Sequence, residues 1–153
     1  MSNRGDMLDV EHEEIIDQLR QATLEKNRSA KKFEEILSNF KNHLEKENYT
    51  IVPLLNYNKG RTESKYQLAE VAYLDAAKRF DDSYESMVEE HRLIQRLIRE
   101  VQSLLQIEGN KKLSNTCNKL LHHIDLEEEF LYPAAKAACE NIRFHQQIQR
   151  VPR

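Results

Sequence analysis

Four histidines and two glutamates recur in this chain at spacings that suit one shared chemistry: His12, His43 with Glu47, His91, and His123 with Glu127. A His and a Glu four residues apart on a helix differ by about 40° around the axis and one turn along it, so both side chains reach one small volume. The stretches NHLEKENYTIVP (42–53) and HHIDLEEEFLYP (122–133) each carry that pair, with a proline six residues after the glutamate. Six such groups are too costly to bury together without neutralisation, and a pair of divalent or trivalent cations would use all of them. Mixed imidazole and carboxylate ligation suits iron or manganese and also accepts zinc, and the two carboxylates are placed to bridge two ions.

The elements that must position these groups are legible from the apolar periodicity. Steps of four and three from Phe33 give Phe33, Leu37, Phe40, Leu44, Glu47, Ile51 and Leu54, a helical stripe broken only by the glutamate. An offset of 80 gives Leu113, Cys117, Leu120, Ile124, Glu127, Leu131 and Ala134, with the same acidic interruption. Two further stripes match at an offset of 79: Leu8, His12, Ile15, Leu19, Ala22 against Met87, His91, Ile94, Ile98, Val101. There the interruption is a histidine on both sides. The chain therefore reads as two helical hairpins related by a pseudo-twofold.

Breaks between helices are expected at Asn27-Arg28-Ser29 and at Gly109-Asn110, with a linker over 56–65 between the hairpins and a frayed tail over 146–153. The stripe continues backwards from Met87 through Tyr84, Phe80, Tyr73 and Tyr66. The third helix is thus either very long or broken at Asp81-Asp82-Ser83, a good capping sequence. Pro53 and Pro133 fall inside continuing apolar periodicity, so they are expected to kink or loosen their helices without ending them.

Several neighbours of these residues have plainer readings. His122 aligns with Asn42 and reads as a solvated or supporting residue; His145 has no partner in the repeat and reads as surface. Glu128 aligns with Asn48 and is the weaker acid candidate. Cys117 aligns with Leu37 and reads as a small core residue. Cys117 and Cys139 are 22 residues apart on one helical stretch, about 33 Å at 1.5 Å per residue, too far to bridge. No histidine follows a glutamate by three residues, as the ferritin-like pattern requires, and no HExxH, CxxC or Gly-rich phosphate loop is present.

Composition agrees with a single all-α domain spanning 1–153, with its core over about 8–140: three glycines and three prolines among 153 residues, against 32% charged ones. The formal net charge of −3, with both signs mixed throughout, offers no basic face for nucleic acid. No stretch approaches the roughly 20 apolar residues needed to span a bilayer, and the first residues lack an apolar signal core, so a cytoplasmic protein is expected.

The order H, HxxxE with its proline, EH, then HxxxEE ending in LYP resembles the hemerythrin-like (HHE cation-binding) domain family, over Leu8 to about Cys139. The resemblance implies an up-down-up-down four-helix bundle around two iron ions, oxo- or hydroxo-bridged, that meet dioxygen, a peroxide or nitric oxide. Carried over residue by residue, it implies His12 and His43 on one iron, His91 and His123 on the other, and Glu47 and Glu127 bridging both. Oxygen carriers of the family place a second histidine one turn away on the third helix, where this chain has Met87 and Gln95. That departure leaves open positions and favours redox reaction, sensing or iron handling over gas carriage. A non-enzymatic iron- or oxygen-responsive module, signalling through a protein partner, is the alternative. A bundle with merely structural buried polar groups is the third reading.

Overall fold

The computed structural model of the chain describes the backbone of residues 4–25, 27–57 and 66–150, and the side chains of 11–25, 27–57 and 71–148. Among the described residues it is all helical: α1 (Arg4–Thr23), α2 (Ser29–Thr50), the single turn α3 (Val52–Leu55), α4 (Tyr66–Glu108), α5 (Lys111–Leu126), a π-helical turn (Glu127–Leu131) and α6 (Tyr132–Arg150). Helices α1, α2, α4 and α5 close a ring in which α1 packs on α2 and α5, and α4 packs on the same two. Of the linker expected over 56–65, residues 58–65 lie outside the described residues. Of the tail expected to fray over 146–153, residues 146–150 are helical as the end of α6, and 151–153 lie outside the described residues.

The two hairpin turns sit at one end of the bundle and are tied together. Gly109 takes φ +68°, a conformation that costs glycine little, and the Asn110 side chain then caps α5 by accepting from the Leu113 N–H. The Ser29 hydroxyl lies 3.1 Å from Glu108 Oε2, and the Asn110 amide donates to Glu25 at 3.3 Å. The third helix is unbroken at Asp81-Asp82-Ser83 and runs 43 residues, with Asp81 paired to Arg143 of α6.

The repeated stripes form the core. One cluster joins Ile15, Leu19, Phe33, Phe40, Ile94, Ile98, Leu113 and Leu120 towards the hairpin turns; a second joins Ile51, Leu54, Phe80, Met87, Tyr132 and Ala135 beyond the polar groups of the repeat. One expectation is corrected. Leu131 is only partly buried and Ala134 is exposed, whereas Tyr132 and Ala135 are buried at 1% and 0% exposure. The cause is the π-turn: the Tyr132 N–H bonds to the Glu127 carbonyl five residues back, and this extra residue rotates the stripe by one position. The first half breaks at the same place in another way, α2 ending at Thr50 and restarting as α3 with Pro53 in its first turn. The expectation of a loosened but continuing helix holds at Pro133, through which α6 runs on to Arg150, and is corrected at Pro53, where α2 has already ended and α3 stops at Leu55. No helix among the described residues is long and apolar enough to cross a membrane.

Candidate metal centre

Each of the four ring helices contributes at the level between the two apolar clusters. On α2, Glu47 stands between Leu44 and Ile51; on α4, His91 stands between Met87 and Ile94; Glu127 stands between Ile124 and Tyr132. All six groups named from the sequence are buried, five of them at 3% exposure or less and His12 at 8%. The structure brings all six together.

They fall into two groups whose ligand atoms lie within 4.8 Å of one another: His43, Glu47, His91 and Glu127, and His12, His123 and Glu127. The pairing differs from the one the resemblance implied. His43 faces His91, with ring centroids 4.4 Å apart, and His12 faces His123, with Nε2 atoms 2.8 Å apart. Each helix has two neighbours in the ring, so the twofold repeat permits either pairing. Depth along the axes decides it, and that is a tertiary quantity.

Glu127 addresses both groups. Its Oε1 lies 3.1 Å from His91 Nε2, while Oε2 lies 3.7 and 3.4 Å from the Nε2 atoms of His12 and His123. Glu47 addresses one, with Oε1 3.3 Å from His43 Nε2. Electrostatics explains the inequality. Two buried carboxylates at close range do not both ionise cheaply. Burial pushes both upward; Glu127 is nevertheless drawn well below the usual carboxylate range by His12, His123 and His91, whereas burial and the Glu127 charge raise Glu47 to about 8.

The imidazoles are oriented from behind by carboxylates on neighbouring helices. His43 Nδ1 lies 2.8 Å from Glu90, which Lys46 also binds; His91 Nδ1 lies 3.0 Å from Glu128, which Arg92 grips with two nitrogens; His123 Nδ1 lies 3.0 Å from Glu11. A carboxylate accepts, so each Nδ1 is placed to donate to it, and each Nε2 faces inward where it could bind a cation. Glu11 and Glu90 were not singled out from sequence, yet each directly precedes a site histidine, and the repeated EH dipeptide was the available signal. Glu128 supports a ligand from behind. His122 is exposed, and His145 bonds Tyr57 and the Asn141 carbonyl away from the centre. Gln95 accepts from Arg92 on the outer face, while buried Met87 accepts from the Thr50 hydroxyl through sulfur.

Tyr132 is the residue that sequence reasoning did not place. Its hydroxyl lies 3.3 Å from His43 Nε2 and 3.2 Å from His91 Nε2. Burial, with the Glu47 and Glu127 charges nearby, pushes the phenol well above its ordinary range and keeps it protonated.

The donor set fits bound cations on its own terms. Both oxygens of Glu47 and Oε2 of Glu127 are buried without a hydrogen-bond partner. Native interiors rarely leave such atoms unmatched, and a cation among four inward-facing imidazole nitrogens would satisfy all three.

The family model of the hemerythrin HHE cation binding domain matches residues 3–135, a span that contains the six buried groups and Tyr132. The chain belongs to that cation-binding family. No curated protein and no solved structure shows a match.

Proposed function

We propose that this is a non-haem di-iron protein that binds or reduces a small oxidant, with dioxygen, a peroxide and nitric oxide as the candidate ligands. The observation that carries the reading is the pair of buried carboxylates, set among four imidazoles with three oxygens unmatched. On this reading His43, Glu47, His91 and Glu127 would hold one ion and His12, His123 and Glu127 the other, Glu127 being common to both groups. Bound iron supplies one-electron redox chemistry and coordination positions for a small ligand.

The chain's own residues do the remainder. Glu11, Glu90 and Glu128 fix the orientation of three imidazoles from behind. The Tyr132 hydroxyl offers a hydrogen bond beside the His43 and His91 nitrogens, where a bound oxygen or nitrogen atom would receive it. Phe40 lies edge-on to His12 and His123 at 6.1 and 6.3 Å, and buried Met87 belongs to the apolar cluster on the other side of the centre. Each group has two imidazoles, and Gln95 is turned outward to Arg92, so this amide would not compete with the oxidant for a bound ion.

The alternative, a non-enzymatic iron- or oxygen-responsive module, draws on the same centre. Its favouring observation is the three buried carboxylate oxygens without a hydrogen-bond partner, which would make the order of the bundle depend on metal. One experiment separates the readings: load ferrous iron without oxygen, count it, then add dioxygen or nitric oxide and follow optical and magnetic spectra through repeated cycles. Two irons per chain with consumption of the oxidant supports the first. Two irons whose spectra ignore every oxidant would overturn it and leave an iron-binding module.

A further inference from the structure

The sequence repeat makes the two halves look equal, but the two ends of the centre are built unequally. At one end His43, Glu47, His91 and Glu127 offer four ligand atoms, with the Tyr132 hydroxyl beside them; at the other, His12, His123 and Glu127 offer three. Support from behind is unequal too. His43 and His91 are each backed by a carboxylate that a cation holds, Lys46 for Glu90 and Arg92 for Glu128. His123 is backed by Glu11, whose side chain is 42% exposed. His12 stands where the repeat supplies Asn48 in place of Glu128, and Asn48 is exposed. Access follows the same order: the His12 side chain is 10% exposed, against 0% for His43 and His91 and 1% for His123.

We infer that the two positions bind metal unequally: the His43–His91 position keeps its ion, and the His12–His123 position exchanges its ion with the medium. The inference rests on the reading of this centre as a two-ion site. Loss of one outer partner lowers metal affinity by about 10- to 100-fold; among the described residues His12 has no such partner, and its end has one carboxylate donor fewer. The second ion also enters beside the first, sharing a carboxylate already drawn to it, so like-charge repulsion falls on the weaker position. A chain with one ion is therefore a stable species in its own right. Since a two-electron reduction needs both irons, occupancy of the His12–His123 position sets whether the centre can react, and that occupancy follows the free metal concentration.

Cobalt(II) tests this without redox chemistry. The metal-free full chain is titrated with cobalt(II), followed by calorimetry and by visible absorption, and the loaded chain is then challenged with a chelator. Two ions per chain are expected, with dissociation constants separated by about 100-fold or more, and one ion lost well before the other. Glu11→Gln should weaken the second step by about tenfold and leave the first unchanged; Glu90→Gln should do the reverse. Both glutamates are partly exposed, and helicity of the variants is checked by circular dichroism. Two ions bound with one constant and lost together overturn the inference and leave the two-ion reading standing. Fewer than two ions overturns both, and a Glu11→Gln effect confined to the tight step overturns the assignment of the ends.

Discussion

The phenol of Tyr132 lies parallel to the imidazole of His91, at 7° with ring centroids 5.3 Å apart. The contact exists because the π-turn at Glu127–Leu131 inserts one residue after Glu127. Without that insertion Leu131 would occupy the inward position. The turn exchanges an alkyl group for a hydroxyl at the edge of the centre, in one half of the repeat and not the other.

Tyr132→Phe keeps the ring and removes the hydroxyl. Stability should fall by about 1 kcal/mol, the ordinary net worth of a buried hydrogen bond, which urea unfolding reads directly. The metal count should stay at two. A ligand bound at the His43–His91 position should leave about tenfold faster, measured by stopped-flow release of nitric oxide. An unchanged release rate would remove Tyr132 from the ligand's surroundings.

The two glutamates should differ. Because Glu127 faces both histidine pairs and Glu47 faces one, Glu127→Ala should reduce iron from two per chain towards none, and Glu47→Ala should leave one. His122→Ala and His145→Ala should leave the count at two. Equal losses in the two glutamate variants, by metal analysis of the purified chains, would restore a symmetric bridge.

Without metal, the melting temperature should fall as pH rises from about 6.5 to 9. Burial opposes charging His43, but its bond to Glu47 prevails and raises it to about 9; His123 reaches about 9 in the same way through Glu127. Their stabilising contribution is complete below the unfolded value of 6.5 and is lost as pH passes through 9. Glu47, in contact with His43, is itself raised by burial and the Glu127 charge, so the pair together holds its proton more tightly when folded and loses stability in the same window. Metal ions compete with those protons, so the loaded chain should gain melting temperature over the chelated one, and gain more as pH rises. A chelated protein that grows more stable between those pH values contradicts the protonation scheme.

Met87 is buried one turn before His91, whereas Gln95 is engaged with Arg92 outside. Met87→His should therefore add an imidazole donor on the His91 side, fill an open position and lengthen the life of any oxygen adduct. Repeated oxygenation and evacuation, followed optically, gives the lifetime. If the unaltered chain already cycles reversibly many times, the open positions do not set its reactivity and a carrier role takes first place.

The inward histidines and glutamates were legible because burial leaves a periodic trace: Phe33 through Leu54 and Leu113 through Ile124 mark the helix faces, and the polar interruptions mark their depth. The pairing of His43 with His91 was not, since sequence offsets relate equivalent positions without saying which helix lies nearer at a given level. The register slip at Tyr132 was hidden because Pro133 announces a loosened turn but not its form. Glu11 and Glu90 escaped notice because a residue next to a ligand sits about 100° around its own helix, and its reach to the neighbouring helix depends on how the two pack.

Helix α4 is 43 residues long, about 65 Å at 1.5 Å per residue, and it threads both apolar clusters with His91 between them. A rod that belongs to two cores transmits local opening from one to the other only as well as the joint between them is bonded. In the metal-free chain that joint is a layer of protonated and unmatched groups, so amide hydrogens near the hairpin turns and those near Phe80 should exchange as two separate cooperative units. Metal riveting the four ring helices at the joint should merge them into one, with a single opening free energy along the length of α4.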